Sequence, residues 1–462
     1  MAIKREYGKE QPYIPAGPFK IRIPFVHYKI EWADYLQGLL MCAVCLGAIP
    51  MLQEYLGMPF EIAMAIVLLN GVFYCAHVFL GDPVIPGWVT PAIPLLMLHI
   101  SQFPVGVERM HALIAFELLL GILAIFLGIT GLGKKMVSIV PNAMQSGIIL
   151  GAGIAAINVI FVKGARFDKF PISIIICVGL GFYLLFSNHF KSIRSNNKFL
   201  RIVSDLGILP VILLAVIVAP LIGETPWPNV QWGITKPDFI TLWKEWTIFG
   251  IGFPPVSMFI KSIPMVLSAY IVLFGDMIQA SALIEDASKS RPDEKIDYNA
   301  NRTHLIFGLR NSIMSIIGPD LTMCGPLWAA MQVVICERYK KGREAMDSIN
   351  GGAASFRFGT LTGYLLLPIV TLCKPILGIA LACTMLIQGY VSVRVGVMKA
   401  RTFNDLGIAG IMAAVLATRG AAWGLAAGIV LCVLIQLGNK PQYDNYIFEQ
   451  PEGLEQTAAE VE

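Results

Sequence analysis

Asp82-Pro83-Val84-Ile85-Pro86-Gly87-Trp88-Val89-Thr90-Pro91-Ala92-Ile93-Pro94 leads directly into an apolar run. A second stretch, Gly318-Pro319-Asp320-Leu321-Thr322-Met323-Cys324-Gly325-Pro326, leads into another. Proline lacks the amide donor and its ring clashes with the preceding turn, so neither stretch continues a helix. Each apolar remainder is about ten residues, which at 1.5 Å per residue is roughly 15 Å, half of a bilayer core. Irregular backbone at that depth needs protein or a polar cavity around it. A half-helix starting there points free amides and its positive dipole end into that cavity, which suits an anion or a carbonyl-rich solute.

The surroundings fix the membrane reading. The chain has 462 residues, of which 56% are hydrophobic and 14% charged, and a mean hydropathy of +0.67. A soluble domain carries about 25% charged residues. Apolar windows of about 20 residues fall near 34–57, 58–81, 86–103, 108–132, 138–161, 170–187 and 200–223. A second set falls near 259–284, 303–317, 321–336, 354–373, 375–393, 404–418 and 421–437. The broken segments are thus third in each set. Matching interrupted spans in two halves point to a transporter site at an inverted-repeat interface.

The expected organisation is a cytoplasmic arm over 1–33 and a first seven-span repeat over 34–223. An interfacial linker follows over 224–258, then a second repeat over 259–437 and a short acidic cytoplasmic tail over 438–462. The linker carries Trp227, Trp232, Trp243 and Trp246, as an interfacial segment should. Lys and Arg alternate between loops, with clusters at 134–135, 191–201, 289–295, 338–343 and 394–401. By the positive-inside rule this sets both termini in the cytoplasm, in an integral protein of a bacterial inner membrane. The loop with Lys163, Arg166 and Lys169 breaks the alternation.

The net charge of +4 lies in loops and does not indicate nucleic acid. Cys42 and Cys45 form a C-x-x-C on a membrane helix, where cysteine packs as a small hydrophobe. The histidines have no metal-ligand spacing, so neither metal nor cofactor is expected. No nucleophile–base pair suggests an enzyme.

Several motifs resemble the uracil/xanthine permease (nucleobase–ascorbate) family, in the superfamily shared with sulfate permeases and bicarbonate transporters. They are Leu36-Gln37, Asn70-Gly71, Ile85-Pro86, the Pro141 to Gly147 segment, Gly308-Leu309 and Gly318-Pro319 with Thr322. The resemblance implies an all-α fold of seven-plus-seven inverted repeats, core and gate domains, and a homodimer through the gates. It also implies a solute between the third and tenth half-helices. The family's eighth-span glutamate corresponds to Asp276, whereas its tenth-span acid gives way to Gly325-Pro326, and Arg310 stands where the family keeps a small residue. Losing an acid and adding a cation moves the site toward anions.

Substrate-binding candidates are Gln37, Thr90, Ala92, Asp276, Gln279, Thr322, Cys324 and Gly325. Asp276, an isolated carboxylate in an apolar run, is presumed functional: a substrate acceptor, a protonatable coupling group, or the ion-pair partner of Arg310. Arg310 either takes such a role or snorkels to the surface. Asp320 reads as the outer end of its break. The resulting expectation is a secondary transporter of a small polar solute, an organic or inorganic anion, coupled to protons or sodium by an elevator-like shift. The alternative is a proton-coupled nucleobase permease.

Overall fold

The computed structural model describes residues 3, 5–195 and 197–436; the expected acidic tail and Lys4 lie outside them. The arm forms a hairpin, β1 (Ile14–Ala16) with β2 (Phe19–Ile21), paired antiparallel from Ile14↔Ile21 to Ala16↔Phe19. The principal helices of the first half are α1 (Trp32–Cys45), α2 (Phe60–Phe79), α3 (Ile93–Ile100), α4 (Val107–Thr130), α5 (Asn142–Phe161), α6 (Pro171–Phe186) and α7 (Leu209–Leu221). Those of the second are α8 (Val256–Lys289), α9 (Ala300–Ile317), α10 (Ala329–Lys340), α11 (Ile349–Leu365), α12 (Leu377–Lys399), α13 (Phe403–Arg419) and α14 (Ala421–Gln436). Short strands β3 (Gly87–Trp88) and β4 (Cys324–Gly325) precede α3 and α10.

Among the described residues, six helices are long and apolar enough to cross a membrane. The pair Pro171–Phe186 and Asn188–Arg194, bent by 60°, makes a seventh, and α3, α7 and α14 belong to shorter apolar helices. The chain is an all-α, polytopic integral membrane protein. Several bounds differ from expectation: the seventh span starts at Leu209 and the tenth helix runs Ala329–Lys340. The eleventh span begins at Ile349, where Ser348 caps the helix through Gly351 N, and ends at Leu365 rather than Cys373.

The two halves interleave. α4 packs against α8 and α9, and in the corresponding positions α11 packs against α1 and α2. These elements, with α3 and α10, form a core. α5 packs against α12, α13 and α14, while α12 holds α6 and α7, which makes the gate. Close helix approach uses small residues: a Cβ on Gly153 would lie 2.8 Å from Gly389 O.

The arm docks on the core. Lys20 N and Arg22 N donate to Leu80 O and Phe79 O at 3.1 and 2.9 Å. Arg5 and Lys20 form ion pairs with Asp293 and Asp297 at 2.9 and 2.6 Å. The Arg291 guanidinium, followed by Arg5, holds the Asp293 carboxyl well below its ordinary range, at about 2. At the opposite face the linker donates from Thr235 N to Leu365 O and from Trp243 Nε1 to Ile317 O. Trp232 and Trp227 stay exposed there.

Candidate functional site

The two breaks meet. β3 and β4 pair antiparallel, with Gly87 opposite Gly325 and Trp88 opposite Cys324. Trp328 N donates to Ile85 O at 2.7 Å, and Asn311 brackets Cys324 with bonds to its carbonyl and amide, both 3.0 Å. Backbone groups freed by the prolines are thereby satisfied inside protein, as their depth requires. The crossing is tight enough to need glycine: a Cβ at Gly87 would stand 2.8 Å from Trp328 Cβ and 3.0 Å from Leu327 O. Met323 in the second break has a φ of 49°, strained backbone of the kind that clusters at functional sites.

From this crossing, α3 and α10 run apart as half-helices. Val89 and Trp328 sit at the N-cap positions ahead of Thr90 and Ala329, and neither segment has a side-chain cap. Thr90, Pro91, Ala329 and Ala330 line a cavity of about 520 Å³ between core and gate. Asp276 and Gln279 of α8 and Arg357 of α11 complete its core side. The gate contributes Ile149, Phe186, Thr384, Gln388 and Ser392. Gly207, Ile208 and Val395 extend it toward helix ends that adjoin the basic loops.

Arg357 is fully buried, and its guanidinium has no carboxylate partner among the described residues, only the Cys45 thiol beside it. Aromatic faces hold it instead. Its guanidinium carbon lies 4.2 Å from the Tyr74 ring centroid and 5.1 Å from that of Trp328. Desolvating a cation without a counter-charge is expensive, even with cation–π support. Such a site is incomplete without an anion.

Arg310 has a different environment. It is 2% exposed, so snorkelling is excluded, and Nη2 donates to Asn70 Oδ1 at 2.7 Å. Asn70 Nδ2 in turn donates to Asp320, which also accepts from the Thr322 hydroxyl. Asp320 N reaches Glu117 Oε2 at 3.2 Å. Arg310 therefore faces a buried acidic network and makes no ion pair with Asp276 among the described residues. Asp320 is not at an outer end; it is the centre of that network.

Of the candidate residues, Thr90, Asp276 and Gln279 line the cavity. Gln37 does not: its side chain accepts from Arg338 Nη2 at 3.2 Å and lies near Met331 Sδ. Ala92 and Thr322 are buried behind the wall, and Cys324 and Gly325 are consumed by the strand pairing. Cys324 Sγ lies 3.7 Å from His77 Nε2. Arg357, Tyr74 and Trp328 were not legible as site residues. Cys42 and Cys45 are buried free thiols, and no cluster of His, Cys, Asp and Glu able to hold a metal occurs among the described residues.

No family model matches this chain, and no curated protein matches it. Solved structures do. The transmembrane domain of a cyanobacterium bicarbonate transporter, BicA, is 15% identical, with a TM-score of 0.54, over 86% of this chain and 96% of that one. SLC26A9 is 16% identical, with a TM-score of 0.56, over 88% of this chain and 66% of that one. The murine Slc26a9 anion transporter in its inward-facing state is 14% identical, with a TM-score of 0.51, over 88% and 69%. The chain shares the fold of these transporters.

Proposed function

We propose that this chain is a secondary transporter of a small anion, bound between Arg357 and the amino-terminal ends of α3 and α10. The observation that carries the reading is the buried Arg357 guanidinium on the cavity wall, with no carboxylate partner among the described residues. An oxyanion there would accept from that guanidinium and from the uncapped amides of both half-helices, all of which favour negative charge. BicA is a bicarbonate transporter and murine Slc26a9 an anion transporter, which agrees with this chemistry. The nucleobase alternative has no comparable support, because a neutral base leaves Arg357 uncompensated.

Asp276 supplies the coupling. It lines the same cavity without an ion-pair partner among the described residues, so an entering anion meets a carboxylate as well as Arg357. A proton or sodium ion on Asp276 removes that repulsion, and the favourable loading state is then anion plus cation. Translocation follows as an elevator-like shift of the core, with its docked arm, against the gate. The cavity's reach toward the basic loops corresponds to an inward-facing state.

The test is flux into liposomes containing the purified protein, with labelled bicarbonate, sulfate, carboxylates and uracil offered in parallel. Saturable anion uptake stimulated by a proton or sodium gradient is expected. Saturable uracil uptake with no anion flux would falsify the proposal.

A further inference from the structure

The loop that breaks the basic-residue alternation has a structural role at the face opposite the arm. A second cavity of about 520 Å³ lies there, again between core and gate. It sits on the same seam as the central one. Thr90 and Pro91 reach the central cavity, while Pro94, Met97, Leu98 and Ser101, further along the same segment, reach the second. On α5, Ile149 faces the first and Asn158 and Val162 face the second. At 1.5 Å per residue, Ile149 to Asn158 spans about 13 Å. The two cavities are successive chambers along one core–gate interface.

Its lining carries Lys163, Arg166 and Lys169 against a single carboxylate, Glu54. The lysines are exposed at the rim. Arg166 is 2% exposed, Nη2 pairs with Glu54 Oε2 at 2.6 Å, and Nε has no partner among the described residues. Glu54 belongs to the core and Arg166 to the gate, so this ion pair ties the two domains together at that face. A carboxylate on a guanidinium is chemically a bound oxyanion.

We propose that this cavity is an anion-binding vestibule at the far mouth of the transport path, in which Arg166 receives a small oxyanion and Glu54 occupies its place while the mouth is shut. The proposal rests on the anion-transport reading. The two rim lysines raise the local concentration of anions. An arriving anion displaces Glu54 from Arg166 and, in the same step, releases the core from the gate. Arrival of solute and opening of the mouth are thereby one event, and the ion pair re-forms when the anion leaves.

The experiment uses the full chain in liposomes with Asn158→Cys, an exposed position in the vestibule. Membrane-impermeant thiosulfonates of opposite charge are applied from that side, with sulfate or bicarbonate as competitor. The anionic reagent should react faster, by about twofold to fivefold for each rim lysine, and millimolar sulfate should slow it. Arg166→Gln should abolish the protection. Glu54→Gln should lower the sulfate concentration that half-protects, an opposite effect that no folding defect produces. Equal reagent rates, or a half-protecting concentration unmoved by Glu54→Gln, would overturn the vestibule. Anion flux without protection removes the vestibule and leaves the transport reading; protection without flux of any anion removes the transport reading.

Discussion

The guanidinium carbons of Arg357 and Arg310 stand 4.2 and 4.3 Å from the centroid of one ring, Tyr74. A single aromatic side chain thus joins the cation that faces the cavity to the cation that faces the buried Asn70–Asp320–Glu117 network. Arg310 is linked through Asn70 to a carboxylate and Arg357 has none among the described residues, so the shared ring separates two differently balanced charges.

Replacing Arg357 should therefore affect binding and stability in opposite directions. Arg357→Met is expected to weaken anion binding by about 2–5 kcal/mol, the cost of truncating one side of a buried charge pair. The same substitution removes an uncompensated buried charge and should raise the thermal midpoint of the anion-free protein. Binding by calorimetry and melting in detergent measure both. A lower midpoint with unchanged affinity would assign Arg357 to packing.

Asp276→Asn should uncouple the transporter. The neutral side chain no longer needs a cation, so anion exchange continues while gradient-driven accumulation falls to background. Gradient-driven uptake and counterflow in the same liposomes separate these two activities. Wild-type accumulation would take Asp276 out of the mechanism.

Gly87→Ala should damage the strand crossing. The added methyl meets Trp328 Cβ and the Leu327 carbonyl at 2.8 and 3.0 Å, and neither can withdraw without moving the start of α10. A loss of about 1–3 kcal/mol is expected from such overpacking. Gly325→Ala, whose nearest contact is Val89 Cγ2 at 3.0 Å, should cost less. Urea or thermal unfolding of the two variants gives the order.

Arm docking should be acid-labile. Asp293 has its pKa depressed to about 2 by Arg291 and Arg5, below an unfolded value of about 3.9. Its contribution is then fully present above about pH 4 and lost as pH falls toward 2. Only the Arg5 share of that depression holds the arm, so Asp293→Asn should loosen the arm by no more than about 1 kcal/mol at neutral pH and flatten that acid limb. Protease sensitivity of the arm across this range is the measurement.

Some of the site was readable from the chain because its causes are local. Four prolines within Asp82–Pro94 forbid a continuous helix wherever that segment is placed, and an isolated Asp276 in an apolar run is costly in any membrane fold. Arg357 was hidden by a boundary. A span placed at 354–373 leaves it at the mouth, beside the basic loop ending at Arg343. The helix starts at Ile349, which carries Arg357 eight positions inward, about 12 Å. Asn350, Gly351 and Gly352 lowered the hydropathy of that turn, while the close approach of α11 to α1 is made further along, where a Cβ on Gly359 would lie 2.0 Å from Tyr35 O.

Composition and periodicity alone determined that this is a polytopic helical membrane protein with two broken spans, because hydropathy and the missing proline donor act within a few residues. Only the tertiary structure decided that the two breaks pair at Gly87 and Gly325, that Thr322, Cys324 and Gly325 serve the crossing, and that Arg357 lines the cavity between core and gate. Those outcomes depend on which distant side chains neutralise one another. Asn70 links Arg310 to Asp320, no carboxylate among the described residues reaches Arg357, and that difference exists only once α2, α9 and α11 are packed around Tyr74.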